Sequence, residues 1–372
     1  MALHFGVFDH IEPVPGLDLE QIYAQRLIQI EQLDKAGFYA YHLAEHHTPA
    51  VHSLAPSQNV FLAAVSQRTT RLRFGPCVYV LPLHHPVRLI EEITMLDNLS
   101  GGRMEIGVGR GGVLEAYFWG QDSDVEVNYA RYQETLAIMR EGLSHEELTY
   151  HGQFYTFDTL PMRMRPKQSP YPPLWYMRNI ETAAMDGMNA VLDVPLGEFD
   201  AYVKRYRELW EKYQGVGALT AQGTEPRIGL IVHMLLADTD EEAVAQATPA
   251  WAAYRWNLET PRRLEAEKRG LTQFLGARMR ARPAGVPARE VPSERYILPA
   301  RSEEQERRRM NPGGLSNRVI AASPTSMRVY LDEYVETGAN YFICSFQWGN
   351  LSHEQALRSI ELFTAEVMPH YV

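Results

Sequence analysis

The sequence predicts a single parallel (β/α)8 TIM barrel of the α/β class, and three observations carry that reading. Short apolar runs alternate with helical patterns almost from end to end, the runs number eight, and no strong break divides the 372 residues into separate units. A doubly wound sheet would need fewer strands or a second domain. Apolar residues make up 45% and charged residues 22%, the balance of a globular protein and not of a disordered chain. The 36 Lys and Arg against 46 Asp and Glu leave a formal charge of −10, which disfavours a general nucleic-acid binder because phosphate contacts need cationic surface. No run approaches the roughly 20 apolar residues that span a bilayer. The opening MALHFGVFDH lacks the basic and long apolar regions of a signal peptide. Two cysteines, Cys77 and Cys344, exclude a disulfide framework, so a reduced, cytoplasmic compartment is expected.

The elements follow in order. LHFGVF (3–8) is strand one. The next helical pattern, 18–37, places Ile22, Leu27, Ile30 and Leu33 on one face and stops at Gly37. FYAYHLA (38–44) is strand two, and a helix over 56–68 has Pro56 near its start. LRFGPCVYVL (72–81) is strand three, 85–102 a helix ending on two glycines, and RMEIGVG (103–109) strand four. Helical stretches follow at 111–119 and 128–143. Two aromatic-rich runs around His151-Gly152 read as a hairpin that decorates the barrel without adding to its strands. PPLWYM (172–177) and NAVLDV (189–194) are strands five and six, and a helix over 197–214 leads to PRIGLIVHMLLA (226–237), strand seven. Thr239 and the acids after it open a helix expected over 239–256. ANYFICSF (339–346) is strand eight, and Ser352 caps a last helix over 352–368.

Residues 257–318 break the alternation and read as an insertion between strands seven and eight, within one domain that covers 1–372. They carry 13 Arg and one Lys against eight Glu, so this stretch is near +6 while the rest of the chain is near −16, and they include six prolines. A segment this long is either an active-site lid or an exposed or oligomer-facing insertion.

Several clusters fall where a barrel keeps its chemistry, at the C-terminal ends of strands. Glu45-His46-His47 follows strand two and can supply a general base or a polar anchor, or hold a satisfied structural histidine. His42 to His46 matches H-x-x-E-H, but that zinc pattern works only on a helix and this run reads as strand, so no metal is expected. Gly107-Val108-Gly109-Arg110-Gly111-Gly112 contains G-x-G-x-x-G, on the fourth strand and not the first. It reads as a phosphate site for a mononucleotide, with Arg110 as the bidentate partner, or as a tight turn with a surface arginine. Arg178-Asn179 precedes a helix whose free amides would bind phosphate, unless Asn179 is only a cap. Arg88 is a rim salt bridge or a ligand contact. Phe8, Asp9, His233 and Trp348 are expected to shape a substrate pocket.

Three segments carry a resemblance: GFYAYHLAEHH, VLPLHHPVRLIEEITMLDNLSGGRMEIGVGRG and TGANYFICSFQWGNLSHEQALRSIELFTAEVMPH. In this order they resemble the bacterial luciferase-like flavin-dependent monooxygenases over nearly the whole chain, with 257–318 matching poorly. The resemblance implies a luciferase-like barrel, a homodimer, reduced FMN as cosubstrate from a separate flavin reductase, and O2 as oxidant. The implied reaction oxygenates a small organic substrate through a C4a-hydroperoxyflavin. It also implies roles for particular residues. His46 would be the catalytic base, with Glu45 beside it helping to hold the flavin edge. Cys77 and Val78 would lie against the isoalloxazine across a peptide bond that is often cis, and Met177 near the flavin edge. Arg110, Gly112, Tyr129, Arg178 and Asn179 would serve the phosphate. Gly109 stands where the light-emitting luciferase subunit has a cysteine, and the strand-five loop is shorter, so light emission is not expected. Two alternatives stay open: a deazaflavin-dependent oxidoreductase on the same barrel, and a non-catalytic flavin-binding or partner subunit.

Overall fold

The computed structural model describes residues 2–213, 217–275 and 311–372. Its strands are β1 His4–Asp9, β2 Ala40–Leu43, β3 Arg73–Pro76, β4 Tyr79–Val80, β5 Ile106–Gly109, β6 Glu147–His151, β7 Thr156–Pro161, β8 Leu174–Met177, β9 Asn189–Leu192, β10 Ile228–Leu236, β11 Val319–Ala322 and β12 Tyr341–Ser345. The main sheet runs β3-β2-β1-β12-β10-β9-β8-β5-β4 with parallel pairing, and β11 lies off this path on β10. β3 and β4 are halves of one strand, broken at a cis Cys77–Val78 peptide bond. The first half bonds β2 and the second bonds β5, so eight strand positions close a parallel barrel. The hairpin of β6 and β7 stands apart, antiparallel, as the sequence predicts.

Local chemistry sets the element ends. The helix α1 (Leu19–Ala36) opens on a capping box between Asp18 and Gln21 and closes on Gly37 at φ 88°, the left-handed stop that its sequence predicts. At Gly107 of β5 a Cβ would lie 2.4 Å from the Pro76 carbonyl oxygen and 2.8 Å from the Cys77 Cα. The first glycine of G-x-G-x-x-G therefore serves close strand approach, beside the broken strand, and not a phosphate.

Three expectations change. The helix expected to stop at 256 runs from Asp240 to Lys268, through Pro249 and Pro261. Tertiary packing overrides the proline penalty there: Tyr254, Arg262 and Ala266 are buried on its inner side. Residues 257–268 therefore continue a barrel helix, and 276–310, the greater part of the rest of the expected 257–318 insertion, lie outside the described residues. The four-residue β11 was not foreseen; it extends the edge beside β9 along the upper half of β10, with His233 opposite Val319. The last helix is α only over His353–Leu362 and then passes into a π turn and a 3-10 turn.

An outer apolar shell fills the space between strands and helices. A second, smaller cluster fills the barrel itself: Phe8, Ala44, Cys77, Trp175, Val191, Ile231, Tyr341 and Ile343, with Val78 and Met177 against it. Buried Glu105 closes the lower end, accepting from the Tyr39 hydroxyl at 2.7 Å and from Arg73 and the Trp175 indole. Among the described residues no helix is long and apolar enough to cross a membrane.

Candidate active site

The chain leaving β2 carries Glu45, His46 and His47 onto the C-terminal rim of the barrel. Glu45 is fully buried and fully engaged: it accepts from His47 Nε2 at 2.7 Å, from His84 Nε2 at 2.9 Å and from the Val80 N–H at 3.0 Å. Burial alone would raise its pKa, but His84 and His47 outweigh burial and hold it at about 2. Glu45 is thus an anionic staple that ties the loop after β2 to the broken third strand.

His46 meets a different pair. Its Nδ1 lies 2.8 Å from Arg262 Nη2 and 3.4 Å from Glu115 Oε1, and Arg262 donates to the same Glu115 oxygen at 2.9 Å. Glu115 comes from α4 (Val113–Phe118), whose short apolar run buries it, and Arg262 from the continued helix Asp240–Lys268. Burial, then the Arg262 cation, lower the His46 pKa from its ordinary value. Burial would raise Glu115, but His46 and Arg262 hold it at about 2. The result is a neutral imidazole beside a carboxylate. When Nδ1–H faces Glu115, Nε2 keeps a free lone pair; when Nδ1 accepts from Arg262, Nε2 carries the proton.

More imidazoles surround this one. His10, just after β1, stacks on His46 with ring centroids 5.6 Å apart, and His52 approaches His46 to 4.2 Å. Beyond them His233 of β10 lies 4.2 Å from the Tyr254 ring, which stacks on Trp251, and Trp348 closes the far side. His233 is buried with no hydrogen-bond partner for either ring nitrogen among the described residues, and burial lowers its pKa to about 3.

The structure brings some expected residues together and separates others. Cys77, Val78 and Met177 share the apolar cluster beneath the rim, and burial pushes the Cys77 thiol up to about 12. Arg110 and Tyr129 both neighbour the Tyr176 hydroxyl. Arg110 is half-buried with no hydrogen bond or ion pair among the described residues, and Gly112, at the start of α4, faces open space. Arg178 is exposed and turns its guanidinium to Asp193 at 3.3 Å. Asn179 caps α6 (Ile180–Met185) by accepting from the Thr182 N–H at 2.9 Å. Asp9 is engaged away from the His46 cluster: it is buried against Arg26 at 2.8 Å and the Tyr41 hydroxyl at 2.7 Å. Arg88 makes an exposed pair with Glu92. His42 lies on β2 and bonds the Tyr341 hydroxyl at 2.7 Å, so the H-x-x-E-H spacing gathers no ligand set.

Sequence reasoning missed Glu115, Arg262, His10 and His52. For His10 a signal existed, since it is the residue after strand one on the functional face. For Glu115 the signal was an acid inside the apolar run VLEAYF.

Comparisons with known proteins agree with the barrel fold. Residues 3–341 match the family described as luciferase-like monooxygenase. The chain is 32% identical over 371 residues to protein y4wF of Sinorhizobium fredii, covering 98% of this chain and 96% of that one. It is 26% identical to the oxygenase component of the flavin-dependent trigonelline monooxygenase of Acinetobacter baylyi, over 68% of this chain and 71% of that one. Among solved structures, the oxygenating constituent of 3,6-diketocamphane monooxygenase from Pseudomonas putida, in complex with FMN, shares the fold. Its TM-score is 0.73 at 18% identity, covering 100% of this chain and 99% of that one.

Proposed function

The chain belongs to the luciferase-like monooxygenase family, and from that premise we propose that it is the oxygenase of a two-component system. It would take reduced FMN from a separate flavin reductase and use O2 to oxygenate a small organic substrate, as a cytoplasmic homodimer. The observation that carries this reading is a half-buried, neutral His46 held between Glu115 and Arg262 above an apolar floor at the C-terminal end of the barrel.

The residues present fit the cofactor. Arg110 is a cation without a partner among the described residues, next to the open Gly112 and the Tyr176 hydroxyl, which suits a phosphate. Tyr129, Arg178 and Asn179 complete that rim, with Asn179 acting through the helix it caps. Cys77, Val78 and Met177 offer an uncharged surface for the flavin ring. Bound reduced FMN would supply the electrons that activate oxygen. The chain's own residues do the rest. His46 takes or returns a proton at Nε2, with Nδ1 held by Arg262 and Glu115. Glu45 holds the His46 loop in place through His47, His84 and Val80. The ring wall of His10, His52, His233, Trp251 and Tyr254 keeps water from the reacting atoms.

The test pairs the purified protein with FMN, a reductase, NADH and air, and offers aldehydes, ketones and terpenoids, with mass spectrometry for a gain of one oxygen atom. H46Q is expected to abolish product while leaving the reduced-FMN Kd within about threefold. Unchanged turnover in H46Q would remove His46 from the mechanism. Tight binding of reduced deazaflavin with none of reduced FMN would replace oxygenation by hydride transfer.

A further inference from the structure

His46 needs one imidazole to move a proton, yet the rim holds three in contact. His10 follows β1, and His46 and His52 lie at two points of the long loop after β2. One ring nitrogen from each lies within 4.8 Å of the others. His52 is fully buried, and neither of its nitrogens has a hydrogen-bond partner among the described residues. His10 is nearly as buried, with ring contacts but no hydrogen bond among the described residues. An imidazole buried without partners is costly to maintain, so these unspent nitrogens point to a ligand that satisfies them.

We propose that His10, His46 and His52 bind one divalent first-row transition ion, of the borderline kind represented by Zn2+, Co2+ and Ni2+. Imidazole donors suit these ions, and three histidines with an open position form a stable coordination set. Metal–nitrogen bonds of about 2.0–2.1 Å place ligand atoms roughly 3.3 Å apart in a tetrahedron. Binding would draw the three nitrogens from within 4.8 Å to that separation. Glu115 supplies the outer partner: Nδ1–H of His46 donated to its carboxylate leaves Nε2 as the ligand and orients the ring. Arg262 then gives up His46 and keeps Glu115. An occupied site engages Nε2 of His46 and so withdraws it from proton transfer. That consequence rests on the proposed function; the binding itself does not.

The experiment uses untagged full-length protein stripped with EDTA and dialysed, without flavin. Co2+ is added while visible absorbance is recorded, then displaced with Zn2+, and Zn2+ binding is measured by calorimetry. The expected result is one ion per chain, with the intense d–d bands of low-coordinate Co2+. H10Q and H52Q each weaken Zn2+ binding at least tenfold, while H233Q, a buried histidine outside the trio, stays within threefold. Absence of saturable one-to-one binding in the unaltered protein would overturn the proposal. So would affinities unchanged in both H10Q and H52Q. Either result leaves flavin-dependent oxygenation to stand or fall on the H46Q assay.

Discussion

Replacing Arg262 by glutamine probes how one helix sets the state of His46. The guanidinium lies 2.9 Å from Glu115 and 2.8 Å from His46, and the Arg262 and Glu115 side chains are each only 10% exposed. Two unit charges about 3 Å apart attract by about 5–6 kcal/mol at an effective dielectric constant near 20. R262Q forfeits that attraction and spares the desolvation of the arginine, but it leaves Glu115 buried without a cation, with only the longer 3.4 Å contact to the neutral His46. The net expected loss is about 3–5 kcal/mol of folding stability, the usual cost of breaking a buried pair from one side. R262Q/E115Q leaves no buried charge and recovers most of that loss. Urea unfolding of the wild type, both single variants and the double variant completes the cycle. The second readout is histidine-selective 15N NMR. The wild-type His46 pKa is lowered by burial and then by Arg262, so the ring contributes stability at neutral pH that is lost as pH falls below about 6.5. Without the cation, and with the Glu115 carboxylate still beside it, the His46 midpoint moves up. The reasoning fails if R262Q costs under about 1 kcal/mol and the double variant is additive, or if the His46 midpoint stays or falls.

Three further outcomes follow from the same geometry. R110A should weaken reduced FMN by about 1.5–3 kcal/mol, the worth of a hydrogen bond to a charged group, read by anaerobic fluorescence titration; an equal Kd would remove Arg110 from the phosphate site. G107A puts a Cβ 2.4 Å from the Pro76 carbonyl oxygen, a backbone atom that cannot swing away, so a loss of about 1–3 kcal/mol or more is expected in thermal unfolding; an unchanged Tm would show that β5 can move off β3. Stability should also fall with acid, because burial lowers His42 to about 4 and His233 to about 3. Between about pH 6 and 4.5 the denatured chain protonates both while the native state does not, at about 1.4 kcal/mol per pH unit each, and Glu12, raised by burial to about 7, offsets one such contribution. H233N should flatten the urea stability profile over that range by about 1.4 kcal/mol per unit, and an unaltered slope would mean that His233 titrates normally in the native state.

The barrel was legible because its signals are periodic. β1, β2, β5, β8, β9, β10 and β12 are apolar runs that each precede a helical pattern, and caps such as Asp18, Thr239 and Ser352 stand at their predicted starts. The resemblance located the cis bond at Cys77–Val78, a local backbone feature that apolar periodicity does not encode. What escaped has a common physical cause: it depends on contacts between residues far apart in sequence. β11 has four residues and earns its place only by pairing with β10 across the long connection that follows it. Glu115 and Arg262 are 147 residues apart, and neither is meaningful until α4 and the long helix meet over His46. Composition pointed at the right stretch for the wrong reason. The arginines of 257–318 and its prolines read as an insertion, yet Pro261 sits inside a helix that presents the next residue to the active site. Arg262 is one of 13 arginines in that stretch, and its burial beside Glu115 distinguishes it from the nearby exposed Arg263 and Arg269. Charge in this protein therefore becomes chemistry through desolvation: the same guanidinium that would be inert on the surface keeps His46 unprotonated where it is buried.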